Sequence, residues 1–422
     1  MTALSLVVTV VSLCQQDPRV YNAIQSPSLT KSSHNSLNDQ RLVVDCDLKR
    51  GRYDELAKCY EQKIRQAKAD QEAQLALAKD LHELAVAYAA SSRFDEARST
   101  LQRGLDIYER FGAVGGRQAG RGFQLLGEVY QMQGLFPDAE TAYKKAIALL
   151  ERFGGRQDFR TASAMYSLGA LYTASGRPSE AYEMLQKASR IAENILPEDS
   201  PELINFLDTQ ASLMFQLSRF TEAEKLWLRA LRIGEKAYSQ DPHRYAPILT
   251  HLGELYSSIG EYKSAEDTLR RSLVIYGEDD NLSSLTRAVI MSELGSVCTK
   301  LKRYDQAASL FQSSLQIVNS QRDLLPLGSA HVLTLAGNYY MGLHDWETAE
   351  QCYRHALKLR EATLGDRPAV AATLASLAQA LRKLHRKKEA EGYRARAGQI
   401  MAAQNDPALS GQTVDVRAFH AN

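Results

Sequence analysis

The chain has 422 residues, 51 of them basic and 50 acidic, for a formal net charge of +1. So even a balance excludes the electrostatic footprint by which nucleic-acid binders neutralise phosphates. Five cysteines, at positions 14, 46, 59, 298 and 352, are too few and too irregular for a disulfide framework or a CxxC metal knuckle.

Residues 1–14 hold the apolar run Ala3–Leu13, too short for a bilayer-spanning helix of about 20 residues. It has the length of a signal-peptide core, with Ser12 and Cys14 before a potential cleavage at Gln15, but no Lys or Arg precedes it. Both a cytoplasmic and an exported chain fit it. Residues 15–37 are read as a flexible lead, rich in Ser and Asn from residue 20 onward. Residues 38–69 form a degenerate first repeat or cap, with Tyr53, Leu56 and Tyr60 in the repeat register and Leu56 where a small residue is expected. If the chain is exported, Cys46 and Cys59 are candidates to pair across that turn.

From residue 70 to 404 one pattern recurs. Ala97, Ala139, Ala181, Ala223, Ala265, Ala307, Ala349 and Ala390 follow one another at 42 residues six times and then at 41, which marks an array of eight repeats. Three residues before each alanine stands a ring or its substitute: Phe94, Phe136, Pro178, Phe220, Tyr262, Tyr304, Trp346 and Lys387. Thirteen before it there is usually a leucine, at 84, 126, 168, 252, 294 and 377, followed four residues on by an aromatic or other apolar group. Such i, i+4 pairs make one apolar stripe per helix, so each repeat holds two helices. Small residues at the alanine and at Gly127, Gly169, Gly253 and Gly295 let the two helices approach closely. Gly134 and Gly260 supply the positive φ that ends a helix. Residues 405–422, with Pro407 and Gly411, read as a disordered tail.

The motifs of catalysis are incomplete. "HELAV" at His82 has Val86 where a zinc protease needs its second histidine, so His82 reads as a surface or groove residue. The glycine-rich Gly112–Gly120 lacks the GxxxxGK[ST] string and reads as an interhelical loop. No metal and no cofactor is implied, and no pocket of buried histidines and carboxylates is expected.

The succession leucine-glycine, aromatic, glycine, aromatic, alanine resembles the tetratricopeptide repeat, and in its 42-residue length the kinesin light chain type. Leu364, Gly365, Asp366, Pro368 and Val370 nearly reproduce that subtype's connecting string. The resemblance implies an all-α fold, a right-handed α-solenoid of stacked antiparallel helix pairs. It also implies a concave face of first helices that receives an extended peptide or a partner helix. Carried onto this chain, that face runs through Gln124, Glu128 and Gln131, then Tyr166 and Thr173, then Asp208, Ser212 and Phe215. It continues through Thr250 and Glu254, Ser292 and Ser296, Thr334, Asn338 and Met341, and ends at Gln379 and Arg382. Tyr166, Phe215 and Met341 are its apolar anchors. Glu128 and Glu254 share one repeat position, which makes them a feature of the face rather than an acid and base pair. A clamp for a C-terminal carboxylate is not expected, because Thr334 stands where the lysine partner of Asn338 would be. The expected function is a non-enzymatic protein-interaction scaffold for a protein or peptide, with no nucleic acid partner. The alternative is a regulatory peptide sensor acting through a separate effector, although nothing before residue 70 reads as a helix-turn-helix.

Overall fold

The computed structural model describes residues 53–65, 71–91, 93–277, 284–320, 326–364 and 368–404. The expectations for residues 1–52 and 405–422, including Cys14 and Cys46, lie outside them. The described residues form seventeen α-helices, one short 3-10 turn at Pro242–Arg244 and no strand. After α1 (Tyr53–Arg65) the helices come in pairs. They are α2 (Gln71–Ala90) with α3 (Phe94–Arg110), α4 (Gly112–Met132) with α5 (Phe136–Phe153), and α6 (Phe159–Ala174) with α7 (Pro178–Ile195). Next come α8 (Leu203–Gln216) with α9 (Phe220–Ala237), α10 (Ala246–Ile259) with α11 (Tyr262–Tyr276), and α12 (Ser284–Lys300) with α13 (Tyr304–Ser320). Last are α14 (Pro326–Gly342) with α15 (Trp346–Leu364), and α16 (Pro368–Lys383) with α17 (Lys387–Gln404). From α3 onward every second helix of a pair begins on its ring position.

The chain divides into two compact units, 53–167 and 168–404, with the boundary inside α6. Each is a stretch of helical solenoid with its own core. Leu81, Leu101, Leu105 and Leu150 centre the first, and Leu269, Leu294, Phe311, Tyr353 and Leu377 belong to the second.

The repeat alanines are fully buried, apart from 2% exposure at Ala390. In five of the repeats the residue after the leucine position is a glycine, at 127, 169, 253, 295 and 337, that faces the residue four after the alanine, and in the other three it is Ala85, Ala211 or Ala378. A Cβ on Gly127 or Gly337 would lie 2.6 Å from the ring of Tyr143 or Tyr353, and on Gly253 2.5 Å from Leu269 Cγ. No real Cβ comes that close to a carbon, so the large residue occupies the space a side chain on the first helix would need.

First helices end alike. Gly134, Gly176 and Gly260, at φ of 76°, 71° and 86°, each stand two residues before a ring position, and Ser218, Lys302, His344 and His385 hold the same place at 60–65°. The next residue's amide reaches back five residues, as from Leu135 to Tyr130 O and from Glu261 to Tyr256 O at 2.9 and 2.8 Å. This bond, paired with those from Gly134 to Gln131 O and from Gly260 to Ser257 O, is a Schellman cap that satisfies the last carbonyls.

Three sequence expectations are corrected. Gly112–Gly120 is not a loop but the first part of the 21-residue α4. Its glycines let that helix lie directly on its neighbours: a Cβ on Gly120 would meet Leu150 Cγ at 2.7 Å and one on Gly122 would meet His82 Cε1 at 2.7 Å. That contact offsets a helix-propensity cost of roughly 1 kcal/mol per glycine. His82 is accordingly a core residue, 3% exposed and packed edge-on to Tyr108, and burial drives its pKa down to about 3. In α1 the fully buried small residue is Ala57, one place after the position read from the register. Cys59 on that helix is disulfide-bonded, whereas Cys298 and Cys352 are free and buried.

Two glycine substitutions separate close packing from helix propensity. Gly253→Ala forces Leu269 aside and lowers stability by about 1–3 kcal/mol. Gly392→Ala in α17, with nothing within 4 Å of the added Cβ, raises it by about 0.5–1 kcal/mol. Thermal or urea unfolding of the two variants checks the opposite signs.

Candidate functional site

The predicted face falls on the first helices of both units. In the first unit, Gln124 of α4 is a hub: its Nε2 donates to Glu128 Oε1 at 3.3 Å, to Ser163 Oγ at 3.1 Å and to Ser167 Oγ at 3.2 Å. The Tyr143 hydroxyl donates to the buried Gln131 Oε1 at 3.0 Å. Burial pushes the Glu128 carboxyl up to about 7, against downward pulls from Gln124 and Arg121. Tyr166 is half-buried.

In the second unit the small hydroxyls turn inward. Thr173 and Ser292 are buried and donate to Gly169 O at 2.9 Å and Val289 O at 2.8 Å, while Thr250 is 1% exposed with its Oγ1 2.9 Å from Ser272 Oγ. Ser212 is buried as well. Ser296 and Thr334 donate to the carbonyls of Ser292 and Ala330, four residues back on their own helices. The open part of the face is formed by half-buried Phe215 and Met341 and by exposed Asn338, Gln379 and Arg382. The Phe215 ring lies 5.7 Å from that of Phe220 and 5.9 Å from that of Trp227, and Asn338 Oδ1 accepts from the Tyr353 hydroxyl at 2.7 Å.

Among these side chains runs a ladder of titratable groups, in which Asp208 and Glu254 were read from the sequence whereas His251, Glu293 and His331 were not. Asp208 Oδ1 accepts from Trp227 Nε1 and from His251 Nδ1, both at 2.7 Å. One helical turn past His251 on α10 stands Glu254. On α12, Glu293 Oε1 accepts from His331 Nε2 of α14 at 2.6 Å. Burial lowers the pKa of His251, but the Asp208 carboxylate outweighs it by charge and hydrogen bond, so His251 titrates above its ordinary 6.5. Burial and then the Glu293 carboxylate raise Glu254 to about 8, with His251 pulling the other way. His251 and Glu293 are 2% and 6% exposed. Buried histidines and carboxylates therefore do occur together here, contrary to the sequence expectation. The signal was available: both stand one residue before the leucine position, and helical periodicity puts that place on the same face as the position three later.

Comparison with known proteins is consistent with this geometry. A tetratricopeptide repeat family model matches residues 123–194, 203–278 and 328–400, and a second model of the same description matches 290–325. No curated protein matches the sequence. Among solved structures, the apo quorum sensor NprR from B. thuringiensis is similar with a TM-score of 0.59 at 16% identity, over 82% of this chain and 94% of that one. A Rap protein complexed with competence and sporulation factor has a TM-score of 0.59 at 14% identity, over 83% and 93%. NprR in complex with its cognate peptide NprX has 0.58 at 16%, over 84% and 94%. These identities show a shared helical-repeat fold.

The ladder sets a pH dependence of stability. Glu254 has a folded pKa above its unfolded 4.5, so the stability it contributes is complete below that value and is lost as the pH rises towards about 8. The raised His251 acts in the same direction. Glu254→Gln removes the Glu254 loss, so the variant gains on wild type across that window, by on the order of 2 kcal/mol after discounting about 1.4 kcal/mol per pKa unit for incomplete burial. Urea unfolding at both ends of the window checks it; a difference between the two proteins that ignores pH contradicts it.

Proposed function

Because the chain belongs to the tetratricopeptide repeat family, we propose that it is a non-enzymatic interaction scaffold that holds a peptide or partner helix along the first helices. The observation that carries this reading is the row of polar groups on α8, α10, α12 and α14, flanked by the half-buried apolar anchors Phe215 and Met341. A row of hydrogen-bonding groups with apolar anchors is what an extended peptide needs, since its backbone must be satisfied while a few side chains provide the affinity. The likeness to NprR, seen with its cognate peptide NprX, supports the same reading. His251 is held by Asp208 much as a general base would be, but its other nitrogen is bonded to no hydroxyl or thiol that it could activate, which favours binding over catalysis. The near-zero net charge argues against a polyanionic partner. A peptide sensor that acts through a separate effector is the second reading, favoured by the likeness to a quorum sensor.

Fluorescence polarisation with an array of N-acetylated, C-amidated decapeptides tests the scaffold. At least one peptide binds saturably, and changing Phe215 and Met341 together to Ala weakens it about tenfold or more. Val274→Ala on a second helix, at a side chain 79% exposed, leaves it unchanged. The absence of any saturable binder, or full affinity in a folded double variant, would overturn the reading.

A further inference from the structure

We infer that Glu254, Glu293 and the free edge of His251 form a subsite for a basic peptide side chain, the ammonium of lysine or the guanidinium of arginine. The inference rests on the peptide-binding reading above and names what that peptide must carry.

Asp208 is engaged, because Trp227 Nε1 and His251 Nδ1 both donate to it. An ionised carboxylate only accepts, so the hydrogen lies on Nδ1 and the Nε2 of a neutral His251 is a lone pair. That Nε2 is buried and has no hydrogen-bond partner. Ring geometry turns it away from Asp208, on a residue within electrostatic reach of Glu254. Glu293 uses Oε1 for His331, and the other oxygen accepts no hydrogen bond among the described residues. Nor does the Glu254 carboxylate, in the same set. With Glu254 ionised and His251 neutral, every unused group is thus an acceptor, and three carboxylates stand against two imidazoles.

Unmatched carboxylates among groups this buried are costly, which is why Glu254 keeps its proton when no cation is present. Lysine and arginine carry donors and no acceptor, and they bring the missing charge, so one cationic side chain satisfies all the free positions at once. A neutral amide or hydroxyl would leave the excess negative charge in place, and an acidic side chain would be repelled.

Proton linkage follows from the same groups. A cation is held best when Glu254 is ionised and His251 neutral, with Asp208 from α8, Trp227 from α9, Glu293 from α12 and His331 from α14 around them. Free Glu254 is protonated up to about 8, whereas lysine stays charged to about 10.4. Affinity for a lysine peptide therefore rises with pH up to about 8, with uptake of the cation expelling a proton.

The test uses the full chain and a positional-scanning library of N-acetylated, C-amidated decapeptides, whose charges come only from side chains. The captured pool is enriched in lysine or arginine at one register. A captured lysine peptide binds about tenfold more tightly near pH 8 than its acetyl-lysine counterpart, and the advantage narrows near pH 6. Glu254→Gln with Glu293→Gln removes the preference while peptides are still captured; the comparison of lysine with acetyl-lysine on wild type needs no variant and guards against a misfolded one. Capture without any basic preference, or a preference unchanged in the double variant, overturns this subsite and leaves the scaffold standing. Capture of no peptide at all overturns both.

Discussion

Two helices of a repeat lie against each other where both carry the smallest side chains, glycine or alanine on the first and alanine on the second, and the rest of the structure depends on that close approach. The buried alanine of the second helix and the glycine of the first make the room, and a residue one turn beyond the alanine fills it. Tyr143 does so on Gly127, Leu185 on Gly169, Leu269 on Gly253, Phe311 on Gly295 and Tyr353 on Gly337. Because interiors are packed to crystal-like density, this contact tolerates little change in volume. It appears in each unit.

The contact also decides which surface is left for function. With the leucine, glycine and aromatic positions of a first helix committed to packing, its remaining face carries polar residues at nearly one-repeat intervals. Neighbouring first helices then bring residues some 40 positions apart in sequence into hydrogen-bond contact: Gln124 with Ser163 in the first unit, and Asp208 with His251 and Glu293 with His331 in the second. Glu128 and Glu254, equivalent in register, both have raised pKa values, but for different reasons. Glu128 is softened by an amide and a guanidinium, whereas Glu254 faces another carboxylate. That difference makes the second unit's patch the one with charge left to match.

Much of the packing was legible in the sequence because it repeats: alanine spacing, ring position and leucine position each recur often enough to be read without coordinates. What recurs less was not legible. Nothing local separates a serine that lines a groove from Ser292, whose hydroxyl is bonded to its own helix and fully buried. The glycine run after Gly112 looks like a loop until Leu150 and His82 are found where its side chains would be. The pairing of Asp208 with Trp227 and His251 depends on how three helices stack, and only the position before each leucine hinted at it.

The most direct measurement is a map of contact sites from a bound decapeptide carrying a benzophenone photocrosslinker at successive positions, read by mass spectrometry. The account places the crosslinks on α8, α10, α12 and α14, around Phe215, Glu254, Ser296 and Met341. Crosslinks concentrated on the outward surfaces of the second helices, at residues such as Val274, would contradict it.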